Sequence, residues 1–174
     1  MPLIDHRDIA RQHRTKLLQS VACAVGVGKS HVAQALGHLA IRQGADVRFL
    51  KTSRILATLA GGRADRTWDK RLHELVKPAV LILDDFGIRE LTASQADDLY
   101  ELVCERATAG RSLILTSNRS PVDWYPLFPN PVVAESLLDR LINTSHQVFM
   151  NGASYRPNKR PKRDTATNTK EAIR

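Results

Sequence analysis

At 174 residues with a formal charge of +8 and few aromatics, the chain is long enough to bury one core without disulfides or structural metals. It has no run of eighteen apolar residues, and its start, Met1-Pro2-Leu3-Ile4-Asp5, has no apolar signal-peptide core; neither a transmembrane helix nor a membrane partner is expected. The two cysteines, Cys23 and Cys104, are far apart with no histidine at metal-ligand spacing, which points to a reducing, cytoplasmic setting.

Apolar runs alternate with helical patterns along the chain, the signature of a parallel sheet with crossover helices. A first strand is expected over Leu17 to Ala22. A helix follows from Ser30 to Gln43, with Val32, Leu36, Leu39 and Ala40 at helical spacing and Gly44 suited to its C-terminal cap. Val47 to Leu50 reads as a second strand. Two helical pieces, Ser53 to Ala60 and Thr67 to Val76, are separated by Gly61-Gly62, read as a breaker. Ala79 to Leu83 is a continuous apolar run, as expected of a parallel strand buried on both faces. Thr92 with Gln95 makes a capping-box signal for a long helix ending near Gly110. Ser112 to Thr116 reads as a further buried strand. Pro121, Pro126, Pro129 and Pro131 mark turns, and a helix over Val132 to Ile142 and a strand over Gln147 to Met150 complete the core. The expected organisation is a short N-terminal segment over 1–16, a core over 17–156 and a basic disordered tail over 157–174.

Charge is unevenly distributed. Arg42 to Lys77 carries nine Lys/Arg against four acids, whereas Pro78 to Tyr155 carries five against ten; Arg156 to Arg174 is again basic, seven against two. A basic stretch beside an acidic half suits a polyanion partner on one face, and equally a solvated surface with a basic tail.

The window Cys23-Ala24-Val25-Gly26-Val27-Gly28-Lys29-Ser30 follows the phosphate-loop pattern G-x-x-x-x-G-K-[ST] except at its first position. Gly26 and Gly28 let backbone N–H groups approach phosphate oxygens, and the helix beginning near Ser30 adds its N-terminal dipole. Lys29 would neutralise the β- and γ-phosphates, and the Ser30 hydroxyl would ligate Mg2+. Val25 to His31 are the candidate ATP-binding residues.

Val80-Leu81-Ile82-Leu83-Asp84-Asp85 is an apolar strand ending in two carboxylates. Ligands of open α/β sheets sit at such strand ends, so Asp84 is the expected metal-associated acid, beside Ser30, and Asp85 the group that polarises the attacking water. Leu113-Ile114-Leu115-Thr116-Ser117-Asn118 ends in an amide that either orients water near the γ-phosphate or serves the turn before Ser120-Pro121. Phosphate loop, paired acids and amide, in this order, point to an ATPase core using ATP and Mg2+.

With these residues in view, the chain resembles the IstB-like ATP-binding proteins, helper ATPases of insertion-sequence transposition related to DnaC-type helicase loaders within the AAA+ superfamily. The matching stretches are Val25 to Gly37, Leu81 to Gly87, Tyr100-Glu101-Leu102-Val103, Thr116-Ser117-Asn118-Arg119, Asp139-Arg140-Leu141 and Gly152-Ala153-Ser154-Tyr155-Arg156. The resemblance implies an α/β P-loop NTPase of AAA+ type: a three-layer sandwich with a parallel sheet in the order 5-1-4-3-2 and no separate lid domain. It implies ATP-dependent homo-oligomerisation on DNA, largely independent of base sequence, and regulation of a transposase. It makes Asn118 the sensor amide and Arg140 an arginine supplied across the subunit interface to the γ-phosphate. Without the resemblance, Arg140 reads as a surface residue paired one turn back with Glu135 or Ser136.

The helical insert over Ser53 to Val76 matches the region where such ATPases contact DNA and coincides with the basic stretch. Lys51, Arg54, Arg63, Arg66, Lys70 and Arg71 are therefore candidate phosphate contacts. Two departures stand out. The family carries Gly-Pro where this chain has Cys23-Ala24, and a longer helical N-terminal region, so the expectation is an N-terminus truncated relative to the family. A helicase loader, and a degenerate ATPase fold that only binds DNA or a partner, are the alternative readings.

Overall fold

The computed structural model describes residues 18–22 and 26–155. The expectations for Cys23, Ala24, Val25 and Arg156, and for the segments 1–16 and 157–174, lie outside the described residues. Five strands, β1 (Leu18–Ala22), β2 (Val47–Lys51), β3 (Val80–Phe86), β4 (Ser112–Ser117) and β5 (Ser145–Phe149), form one parallel sheet in the order β2-β3-β4-β1-β5. Read from the other edge, this is the order 5-1-4-3-2. The connecting helices are α1 (Lys29–Arg42), α2 (Thr52–Asp65), α3 (Trp68–Val76), α4 (Ala93–Thr108) and α5 (Pro131–Asn143), with a 3-10 helix over Pro121–Leu127.

Side chains alternate across β3, and that alternation builds the three layers. Leu81 and Leu83 pack with Leu113 and Leu115 into a core shared with α2, α3, α4 and α5, while Ile82 and Ile114 meet Ala33 of α1 on the opposite face. Buried on both faces, these strands read in sequence as continuous apolar runs. The inward face of α1 is made of Ala33 and Gly37, with Leu36 partly buried; Leu39, expected in the stripe, is half exposed. Small residues there let the helix lie close to the sheet, since a Cβ on Gly37 would stand 2.9 Å from Ile82 Cδ1.

Two expected boundaries are corrected. Gly61-Gly62 does not break the helix: α2 runs through both to Asp65 and stops at Arg66, whose φ is 60°. The pair serves packing instead, because a Cβ on Gly62 would lie 2.8 Å from Trp68 Cα at the start of α3. That close crossing outweighs the roughly 1 kcal/mol helix penalty of each glycine. β3 also extends past Leu83 through both aspartates to Phe86. The Thr92–Gln95 capping box is present in both directions, with Gln95 N–H donating to Thr92 Oγ1 and Thr92 N–H to Gln95 Oε1.

Two buried charges tie the layer of helices together. Asp98 on α4, fully buried, accepts from Trp68 Nε1 and Arg63 Nε, each at 2.8 Å, and so pins α2 and α3 to α4. Arg106, also fully buried, donates to the carbonyls of Leu75, Val76, Pro78 and Ser112, gathering the end of α3 and the starts of β3 and β4. Burial pushes its pKa down to about 10, with the nearby Arg111 charge acting in the same direction.

Candidate functional site

The C-terminal ends of the strands open into a cavity of about 530 Å3 lined by Gly26, Val27, Gly28, Lys29, Ser30, His31, Asp85, Asn118 and Tyr155. That volume suits a small-molecule ligand. The loop that forms its floor depends on glycine: Gly26 and Gly28 have φ of 87° and 97°, in the left-handed region that other residues adopt at a cost. Val27, Gly28, Lys29, Ser30 and His31 thus lie where the loop pattern predicts them, around the N-terminus of α1. Lys29 is almost fully buried in the first turn of that helix.

Ser30 and Asp84, the two expected metal ligands, meet directly. Ser30 Oγ donates to Asp84 Oδ1 at 2.7 Å across 54 residues of sequence. The same carboxylate oxygen accepts from Thr116 Oγ1 at 2.6 Å, and Thr52 Oγ1 donates to the Asp84 carbonyl at 3.0 Å. Asp84 is buried, so its orientation is set from three elements: α1, α2 and β4. A hydroxyl facing a buried carboxylate fits Mg2+, which takes one or two protein oxygens and completes its shell with phosphate oxygens and water. Among the described residues there is no cluster of three or more His, Cys, Asp or Glu side chains that could hold a metal by itself.

Asp85 lies within β3 but breaks its regular geometry. Its φ is 60°, and the register of β3 against β4 shifts between Leu83 and Phe86. Such a bulge re-aims a side chain. Here the Asp85 N–H donates to Thr116 Oγ1 at 3.2 Å, and its carboxylate lines the cavity. It also forms an ion pair with Lys51 at 3.3 Å. Asp85 thereby borders a second cavity of about 500 Å3 between β2, α2 and the Gly87–Leu91 segment, which Lys51 also lines.

Asn118 is exposed just after β4 and lines the first cavity. The residues around it hold two strand ends together. Ser117 Oγ donates to the Phe86 carbonyl at 2.8 Å and accepts from Trp124 Nε1 at 3.1 Å, while Arg119 Nε donates to the Gly87 carbonyl at 2.7 Å.

Arg140 does not line its own chain's cavity. Its Nη1 lies 3.1 Å from Cys104 Sγ and 3.4 Å from Ser136 Oγ, and its guanidinium carbon is 5.4 Å from the Tyr100 ring centre. The contact with Ser136 one turn back is the local pairing read from sequence. Contact with Tyr100 and the neighbouring Cys104 raise its pKa further.

The six candidate DNA contacts divide. Arg63 is bound to buried Asp98 and lies over Trp68, and Arg71 is held by Thr67 Oγ1, the Thr58 carbonyl and Asp65. Lys51 is paired with Asp85. Arg54, Arg66 and Lys70 are exposed on α2, its C-cap and α3. The packing of α3 against α2 and α4 gives Arg63 and Arg71 partners within the chain, while Arg63 keeps part of its side chain exposed.

Thr52, Thr116 and Tyr155 carry site geometry that the sequence reading did not assign. Thr116 and Tyr155 sit in stretches already singled out, Thr116-Ser117-Asn118-Arg119 and Gly152 to Arg156. Thr52 had no signal, being a threonine at the start of a helix.

A family model described as IstB-like ATP binding protein matches residues 15–163. A Mycobacterium tuberculosis protein named as an ATP-binding protein in an insertion sequence is 69% identical over 142 residues, covering 82% of this chain and 57% of that protein. An ATP-binding protein of insertion sequence IS21 from Pseudomonas aeruginosa is 37% identical over 131 residues, covering 75% of this chain and 49% of its own length. The chain thus spans about half the length of the relatives it matches. Among solved structures, the DnaC helicase loader superposes with a TM-score of 0.69 at 19% identity, covering 83% of this chain and 85% of that one. AMPPCP-bound DnaA from Aquifex aeolicus gives 0.66 at 18% identity, covering 83% and 44%. At these identities the likeness is one of fold, that of the AAA+ P-loop proteins.

Proposed function

Because this chain belongs to the IstB-like ATP-binding protein family, we propose that it is an ATP-binding helper of DNA transposition that assembles on DNA and regulates the transposase of its element. The observation that carries the nucleotide reading is the 2.7 Å bond between Ser30 Oγ and Asp84 Oδ1, beside buried Lys29 in the glycine-built loop. The insertion-sequence relatives favour a transposase over a replicative helicase as partner.

In this reading the loop N–H groups and the α1 dipole hold the phosphates, and Lys29 neutralises charge on them. Mg2+, when bound, would supply positive charge that offsets the charge of the phosphates; Ser30 and Asp84 are the residues that would hold it. Asp85 and Asn118 hold and orient a water molecule. Its oxygen bonds to the γ-phosphorus as the bond to the β–γ bridging oxygen breaks, and a water proton passes towards Asp85. Arg140 serves the γ-phosphate of a neighbouring subunit rather than its own. Arg54, Arg66 and Lys70 meet DNA phosphates, an interaction that weakens steeply with salt.

Titration of the full chain with Mg·ATP tests the reading. Saturable binding that Lys29→Ala abolishes is expected. Absence of saturable binding, or binding indifferent to Lys29→Ala, would leave only a degenerate fold that binds DNA or a partner.

A further inference from the structure

The residues expected to handle the γ-phosphate lie on one side of the phosphate loop. In the sheet order β2-β3-β4-β1-β5, the loop follows β1; Asp85 and Asn118 end β3 and β4, and β5 is the neighbour on the other side. A triphosphate whose γ end points to Asp85 and Asn118 must extend its remaining part away from them, towards the β5 side. Among the described residues, Tyr155 contributes to the cavity wall from beyond β5.

Tyr155 is fastened to the loop by its own segment. Its backbone N–H donates to the Gly26 carbonyl at 3.0 Å. The preceding Ser154 fills the space above Gly26 so closely that a Cβ there would lie 2.1 Å from Ser154 Oγ. Yet the tyrosine side chain is not packed into the core, and 61% of the residue's surface is exposed. Tyr155 lines the cavity, and an exposed aromatic side chain there offers apolar surface that a flat ligand would cover. Purine rings stack on such a surface with little regard to base identity.

We propose that Tyr155 is the base-holding residue of the nucleotide site, its ring stacking against the purine of a bound nucleoside triphosphate while its backbone braces the phosphate loop. This rests on the nucleotide reading above. It also gives the Gly152 to Tyr155 stretch a role in which the glycine at position 26 and the serine at position 154 are matched parts of one contact.

The test compares Mg·ATP with Mg·tripolyphosphate, which has the phosphates and no base, on the full chain and its Tyr155→Ala and Tyr155→Phe variants. Tyr155→Ala should weaken ATP binding roughly ten- to a hundredfold, leave tripolyphosphate binding unchanged, and be rescued by Tyr155→Phe. Equal loss for both ligands would show that the residue only braces the loop, and unchanged ATP affinity would show that the ring is not used; either overturns the proposal while the nucleotide reading stands. If the unaltered chain bound neither ligand, the nucleotide reading itself would fall, and this proposal with it.

Discussion

Lys51 Nζ lies 3.3 Å from the Asp85 carboxylate, so the cation ending β2 is bonded to the acid that lines both cavities. The pair is partly exposed, and such pairs contribute at most about 1 kcal/mol to stability. Its consequence is therefore for Asp85 rather than for folding. Lys51→Ala should leave the urea midpoint nearly unchanged and raise basal ATP hydrolysis several-fold, because the carboxylate is released to the attacking water. Asp85→Asn should lower turnover by roughly 100-fold or more. A phosphate-release assay on both variants decides; a Lys51→Ala protein with unaltered turnover would show that the pair does not restrain the acid.

Thr116 Oγ1 donates to Asp84 Oδ1 at 2.6 Å, and Asp84 is the acid proposed to hold the metal. Partners that orient a metal ligand typically matter by about 10–100-fold in metal affinity. Thr116→Val should raise the Mg2+ concentration needed for half-maximal hydrolysis by that factor. Nucleotide affinity measured in EDTA should not move.

Arg140 is held away from its own cavity by Tyr100, Cys104 and Ser136. If it acts on a neighbour, Arg140→Ala alone should lose turnover by about 1,000-fold or more. Mixing it with Lys29→Ala protein, which retains Arg140 but not a working loop, should restore part of the activity. Mixing that restores nothing counts against supply across an interface.

The basic residues of α2 and α3 should behave as two classes. Charge reversal at Arg54, Arg66 or Lys70 should weaken DNA binding uniformly across base sequences, each lowering the salt slope by about one. Arg63→Ala should instead destabilise the fold, because it removes a partner from fully buried Asp98. Fluorescence anisotropy over a salt series and thermal unfolding separate the two.

Arg106 gives the strongest stability prediction. Arg106→Ala strands four backbone carbonyls at the junction of α3, β3 and β4. At roughly 1–3 kcal/mol for each buried acceptor left unpaired, the variant should show a clearly lowered urea midpoint, and nucleotide binding should survive at temperatures where it is folded.

Local chemistry was enough to place most of the fold. The apolar run at Val80 to Leu83, the capping pair Thr92–Gln95 and the loop Gly26 to Ser30 each carry their structure in neighbouring residues, through burial, hydrogen bonding or tolerance of positive φ. The sheet order came only through the family resemblance that those motifs carry. Tertiary structure decided what local pattern could not. It turned Gly61-Gly62 from a breaker into a crossing point, because only the packed α3 supplies the close neighbour. It gave Lys51, Arg63 and Arg71, among six equivalent-looking cations, partners within the chain, because Asp98, far along the chain, is what claims Arg63. The bulge that turns Asp85 towards Lys51, and the contact that sets Tyr155 on Gly26, likewise join residues distant in sequence, and a phosphate loop by itself states neither.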